Sequence, residues 1–281
     1  MSVHTELPTY SPTSAPRTIL LEAQPGRDRR ALLEHFRDEA KQLNAEAFFL
    51  DCDFGRNGLW TGLDDFLARV MDDLGESRPE LIEEHSYELA IVFPALRRTM
   101  QIRNESLTDS GPADERTRNF SVDRAFRIVQ GLIDLTDEWH RLHARGPLVF
   151  ACDFFDNAGA LVRRFFTDLM RRRGADRGIV LVLAIEPGKV ESWSEMAHDH
   201  DDNPVDRITL ELAADPPETF DMEAMRAKAD EIERVARNGS IDLQELLPKL
   251  IWHLERSGDE ERLILWKAIA FGVYNHFGFY E

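Results

Sequence analysis

Apolar positions along this chain follow two rhythms. Short unbroken apolar runs alternate with longer stretches in which apolar residues recur every three to four positions. The first rhythm reads as strands buried on both faces, the second as amphipathic helices. Strands are expected to begin near Thr18, Ala47, Pro147, Gly178 and Arg207. Thr18–Ala23 predicts the first strand. Asp28–Leu43 predicts a helix with Leu32, Leu33, Phe36 and Ala40 on one side. Ala47–Phe54, "AFFLDCDF", predicts the second strand, and Thr61–Leu74 an amphipathic helix carrying Leu63, Phe66, Leu67, Val70 and Met71. Pro79–Met100 reads as helical with a break or kink at Pro94, whose ring clashes with a continuing helix.

Asn104–Asn119, "NESLTDSGPADERTRN", is almost devoid of apolar residues and is expected to be a mobile loop. Ser121–Ala144 predicts a long helix with Ser121 as its N-cap. Pro147–Cys152 is a strand ending at Asp153, Ala158–Arg173 a helix, and Gly178–Ile185, "GIVLVLAI", the strongest strand. Arg207–Ala213 predicts the last strand, alternating at Ile208, Leu210 and Leu212, and three helices follow from Pro217. Strands this apolar imply an α/β fold: a parallel sheet of about five strands flanked by helices, with an all-helical C-terminal extension. The expected division is a flexible tail over 1–17, an α/β domain over 18–216, and a helical region over 217–281.

The chain has 281 residues, 43% of them apolar and 31% charged, enough for a large core and a solvated surface. No run of 18 apolar residues predicts a membrane span. The N-terminus lacks the basic start and apolar stretch of a signal peptide. Two cysteines, Cys52 and Cys152, each fall in a predicted strand and read as reduced core residues of a cytoplasmic protein. The net charge of −18 opposes both nucleic-acid phosphates and anionic lipid, so neither is expected as a partner. Arg171, Arg172 and Arg173 form a local basic run that reads as the charge complement of a helix C-terminus.

The candidate chemistry lies in "TILLEAQPGRDRRALLEHF", Thr18–Phe36: a strand, a polar turn with Gly26, then a helix. With "PLVFACDFFDNAGALVRRFFTDLMRRR" and "GIVLVLAIEP" followed by "DRITLELAADPPETF", this order resembles a P-loop NTPase of the AAA-related STAND group, over about Thr18–Phe220. The resemblance implies a P-loop NTPase-like sheet and a degenerate nucleotide site formed by Gly26, Arg29, Arg30 and Asp153. Gly26 stands at the middle glycine of the phosphate loop. Ala23 replaces its first glycine and Asp28 the glycine before the lysine. Arg29 holds the lysine position and Arg30 the Ser/Thr position, so the magnesium hydroxyl is missing. Asp28 would add a negative charge near phosphate, costing roughly 1–4 kcal/mol at about 4 Å. Asp153 matches the Walker B aspartate, but Phe154 stands where the water-activating acid belongs, with Asp156 two positions further on. The plain alternative makes Gly26 a strand terminator, Asp28 a helix cap, and Arg29, Arg30 and Arg37 surface charges.

Other patterns give less. "HDHDDN" at His198–Asn203 contains metal-capable residues but no second cluster at ligand spacing, and reads as a solvated acidic loop. His140 and His143, and Glu83, Glu84 and His85, read as groove or surface positions. Tyr274, Gly278 and Tyr280 resemble the start of a tetratricopeptide repeat. The alternative is a helical lid with Trp252, Leu254, Leu263, Trp266 and Phe271 in its core. No catalytic residue and no metal site is expected. The leading expectation is a catalytically inactive, NTPase-like regulatory or scaffold protein that binds protein partners and needs no cofactor. The alternative is a divergent ATP/ADP-binding switch with weak or no hydrolysis. An enzyme of unrelated chemistry on the same sheet is a third class, for which no residues stand out.

Overall fold

A computed structural model describes residues 17–103, 121–143, 146–189, 205–213, 215–216, 219–238 and 243–277. Five strands form one sheet: β1 Arg17–Glu22, β2 Glu46–Asp51, β3 Leu148–Asp153, β4 Val180–Ile185 and β5 Val205–Thr209. Their spatial order is β2-β3-β4-β1-β5, and every neighbouring pair is parallel. The all-apolar runs are the reason: β3 and β4 are buried along their whole length, which only a sheet covered on both faces allows.

Alternation along each strand sorts side chains between two layers. Ile19, Leu21, Val149, Ala151, Val180, Val182 and Ala184 meet α1 (Arg27–Gln42) through Leu33, Phe36 and Ala40. Leu20, Leu50, Phe150, Cys152, Leu181 and Leu183 face the other layer. That layer comprises α3 (Leu63–Ser77), α6 (Ser121–His143) and α7 (Ala160–Arg177), with α2 (Phe54–Asn57), α4 (Pro79–Glu84) and α5 (Ser86–Val92) nearby. The crossover after β1 thus runs over one face while the later helices cover the opposite face. In an open parallel sheet, this change of face puts the ligand crevice at the carboxyl ends of the strands beside β1.

The second layer is tied by aromatic edges. Phe66 lies 4.9 Å from Phe48, 5.0 Å from Phe150 and 5.6 Å from Trp139, ring centre to ring centre, each edge-on. Three helices complete the described chain: α8 Met222–Arg237, α9 Leu243–Ser257 and α10 Glu260–Phe277. Leu247, Leu250, Leu254, Trp266 and Tyr274 join them to the main core.

Three expectations need correction in detail. The Pro79–Met100 region breaks at His85 as well as before Pro94, giving α4, α5 and a 3-10 turn over Pro94–Arg98. The last strand is Val205–Thr209 rather than Arg207–Ala213. Among the described residues its neighbour is β1, which ends at Glu22 opposite Thr209, and the ladder closes with the Leu210 N–H bond to Glu22 O. Arg17, placed in the tail by sequence, begins β1. The rest of the expected tail, the 104–119 loop and His198–Asn203 lie outside the described residues.

Candidate functional site

The phosphate-loop position is the turn between β1 and α1. Ala23 N–H bonds Ile185 O, extending the β1–β4 ladder by one residue before the chain turns. Gly26 is the N-cap of α1 and has no side chain to satisfy the free N–H groups of the first turn. Asp215, in the segment after β5, supplies an acceptor instead: its Oδ2 accepts from Arg27 N–H at 2.9 Å. The approach is close. A Cβ on Gly26 would lie 3.1 Å from Asp215 Cγ and 3.2 Å from Asp215 N. A carboxylate at a helix N-terminus is stabilised by the same partial positive charge that binds phosphate. Asp28 sits in that first turn as well. The carboxylate that caps Arg27 N–H is Asp215's.

Arg29, at the lysine position, is completely buried, which corrects its reading as a surface charge. Its Nη2 lies 2.7 Å from Asp153 Oδ1, and the two side chains are 0% and 3% exposed. Nη1 donates to Ala23 O at 2.9 Å. The geometry follows from the sheet: Arg29 is one turn into α1, and Asp153 ends β3 opposite Asp51 of β2. Burial pushes the Asp153 carboxyl above its ordinary value, and the Arg29 guanidinium pulls it back only in part. Asp153 Oδ1 also accepts from Phe154 N–H at 3.0 Å.

Phe154 adopts a left-handed conformation with φ 51° and ψ 35°, uncommon for a large side chain. Its ring lies 4.8 Å from Arg29 Cζ and 5.9 Å from Arg56 Cζ. Arg56 Cζ is in turn 5.8 Å from the Trp252 ring. Arg256 Cζ lies 3.9 Å from Trp252 and 5.1 Å from Phe220. Cations and rings therefore alternate from the end of the sheet to α9, each contact worth roughly 0.5–2 kcal/mol depending on desolvation. Asp53 caps α2 by accepting from Gly55 N–H and pairs with Arg56 at 3.2 Å. Burial raises the Asp53 carboxyl, with Arg56 opposing.

Of the four sequence candidates, the fold gathers Gly26, Arg29 and Asp153 at one end of the sheet. Arg30 points away: it pairs with Glu34 at 3.0 Å and lies over Phe49 at 5.0 Å. Asp156 pairs with Lys189 at 2.7 Å, and Lys189 also reaches Glu186 at 3.0 Å. Sequence reasoning missed Asp215, Arg56, Trp252 and Arg256, because no spacing in the chain links them; only the fold does.

The other candidates among the described residues make local contacts. His140 Nε2 bonds Gly146 O and His143 Nε2 bonds Ser77 Oγ, each at 2.9 Å. Arg171 pairs with Asp168, and Arg172 and Arg173 with Asp134. Cys52 and Cys152 are free and buried, and a bond to Cys152 together with burial pushes the Cys52 thiol well up, away from nucleophilic thiolate. Among the described residues no group of three or more His, Cys, Asp or Glu could hold a metal ion, and no helix is long and apolar enough to cross a membrane. A cavity of about 200 Å³, lined by Trp60, Asp64, Phe93 and Lys249, lies elsewhere, between the start of α3, the end of α5 and α9. No family model matches the chain, and no curated protein matches it at a significant level.

Proposed function

We propose that this chain is a catalytically inactive, NTPase-like regulatory or scaffold protein of the cytoplasm, related in design to the STAND group of AAA-type ATPases and acting through protein–protein contacts. The observation that carries this reading is the buried Arg29–Asp153 pair. A phosphate loop uses its cation on the nucleotide's β- and γ-phosphates and its Walker B acid on magnesium. Here the two groups at those positions neutralise each other, and Asp215 takes the helix N-terminus that would face phosphate. The helices α8–α10 are the surface offered to partners, as a lid or as the opening of a helical repeat.

The second reading is a divergent ATP/ADP switch, favoured by the exposure of Asp215, which an arriving phosphate could displace without unfolding anything. Thermal melting separates the two. A nucleotide at 100 times its Kd stabilises the native state by about 2.7 kcal/mol. The scaffold reading expects no rise in Tm with millimolar Mg·ATP or Mg·ADP; a clear rise in either favours the switch.

A further inference from the structure

The cavity of about 200 Å³ lies where the loop after α2, the start of α3, the end of α5 and the start of α9 meet. Leu59, Trp60 and Val92 are buried and form its apolar side, with the half-buried Phe93 beside them. Its charges come from Asp64, in the first turn of α3, and from Glu245 and Lys249, one turn apart on α9. Gly58 seats α9 over this space. Its φ of 106° is a conformation that favours glycine, and a Cβ there would lie 3.6 Å from Glu245 O and 3.8 Å from Lys249 Cε.

The opposite charges around the cavity do not meet. Asp64 Oδ1 accepts from Asp65 N–H at 3.1 Å. Burial pushes the Asp64 carboxyl up and the charge of Asp65 adds to this, while the Lys249 ammonium opposes it. Lys249 thus acts on Asp64 through its charge, yet among the described residues neither group makes an ion pair. A carboxylate drawn out of water and an ammonium without a carboxylate, on the walls of one cavity, match a ligand that carries both charges. A purely anionic ligand would meet two carboxylates, and a purely cationic one would meet Lys249. A zwitterion satisfies both, and the apolar side receives its hydrocarbon part. The volume sets the size: pockets for drug-sized ligands measure roughly 300–1,000 Å³, so this one suits a small metabolite.

We propose that this cavity binds a free aliphatic α-amino acid, its ammonium on Asp64 and Glu245, its carboxylate on Lys249 and its side chain against Leu59, Trp60, Val92 and Phe93. This does not depend on whether the site beside β1 binds nucleotide. Equilibrium dialysis of the full chain with radiolabelled L-leucine should show saturable binding at millimolar concentrations or below. Isoamylamine is leucine without its carboxylate, and isocaproate is leucine without its ammonium. Each should compete at least about tenfold more weakly than unlabelled leucine. Lys249→Met, at an exposed position without an ion pair, should keep the unliganded Tm and weaken leucine binding at least about tenfold. Asp64→Asn should weaken it as much; if that variant does not fold, Lys249→Met decides alone. Lys41→Met, at an exposed position on α1, should leave binding as it is. Absence of bound leucine at millimolar concentration overturns the proposal. So does equal competition by isoamylamine or isocaproate, or binding that Lys249→Met or a folded Asp64→Asn leaves intact.

Discussion

Arg29 and Asp153 form a buried ion pair at the end of the sheet, while Arg29 Nε, also buried, has no hydrogen-bond partner among the described residues. The 2.7 Å contact joins the first turns of α1 to the end of β3 and is sealed by the Phe154 ring, with neither side chain meaningfully exposed. Two charges removed from water hold each other only at a desolvation cost, so the pair specifies geometry more than it adds stability. Breaking it is another matter, because the survivor is then buried and unpaired. Arg29→Ala or Asp153→Ala should each lose about 3–5 kcal/mol in urea unfolding.

Asp215 ties the segment after β5 back onto α1. Asp215→Ala removes the acceptor of Arg27 N–H and should cost about 0.5–2 kcal/mol, the usual effect of losing an N-cap. Amide hydrogen exchange should localise the change: Arg27 exchanges faster, while the amides of β3 and β4 keep their protection. A uniform rise in exchange across the sheet would speak against a local cap.

Glu233 couples α8 to α10 through Arg262, and it also pairs with Arg237. Burial pushes its carboxyl up, but the bonds and charges of Arg262 and Arg237 outweigh this and hold it below its ordinary 4.5. A carboxyl lowered on folding contributes stability above its unfolded value, and that contribution fades as pH falls through the folded value. Glu233→Gln should therefore cost about 1–2 kcal/mol at neutral pH, allowing for the partial exposure of Arg262. The gap between variant and parent should narrow below pH 4.5 in stability curves measured across that range. A gap that stays constant into acid would mean that the charge of Glu233 is not what matters.

Phe66 is the hub of the aromatic cluster under β2 and β3, fully buried and edge-on to three rings. Phe66→Ala leaves a cavity bounded by stiff rings and should cost about 3–5 kcal/mol, read as a lower urea midpoint at unchanged slope. A loss under about 1 kcal/mol would mean that the neighbours collapse into the space.

The sheet was legible because its signal is local. "GIVLVLAI" and "PLVFAC" are all-apolar runs of strand length bounded by polar segments, and Leu33, Phe36 and Ala40 mark α1, the helix that covers one face among the described residues. The end of β5 was not legible, since it is set by where β1 stops. At the site, the sequence shows Gly26, Arg29 and Asp153 in the right order, but not that Arg29 folds inward onto Asp153. An arginine in a polar turn reads as a surface charge until the strand carrying its carboxylate is placed. Asp215, Arg56, Trp252 and Arg256 lie far apart in sequence, and their convergence on the crevice depends on how α9 packs against α2, which no local pattern encodes.

The most direct test compares the melting of the wild-type chain with that of Arg29→Met/Asp153→Leu, each with and without saturating Mg·ATP. If the two side chains serve only each other, the double variant should melt near the wild-type temperature or above it, since an apolar pair of similar volume replaces a buried ion pair at little or no loss. Nucleotide should then shift neither protein. A nucleotide-dependent rise in the wild-type Tm that the double variant loses would show that Arg29 and Asp153 serve a ligand, and would contradict the account.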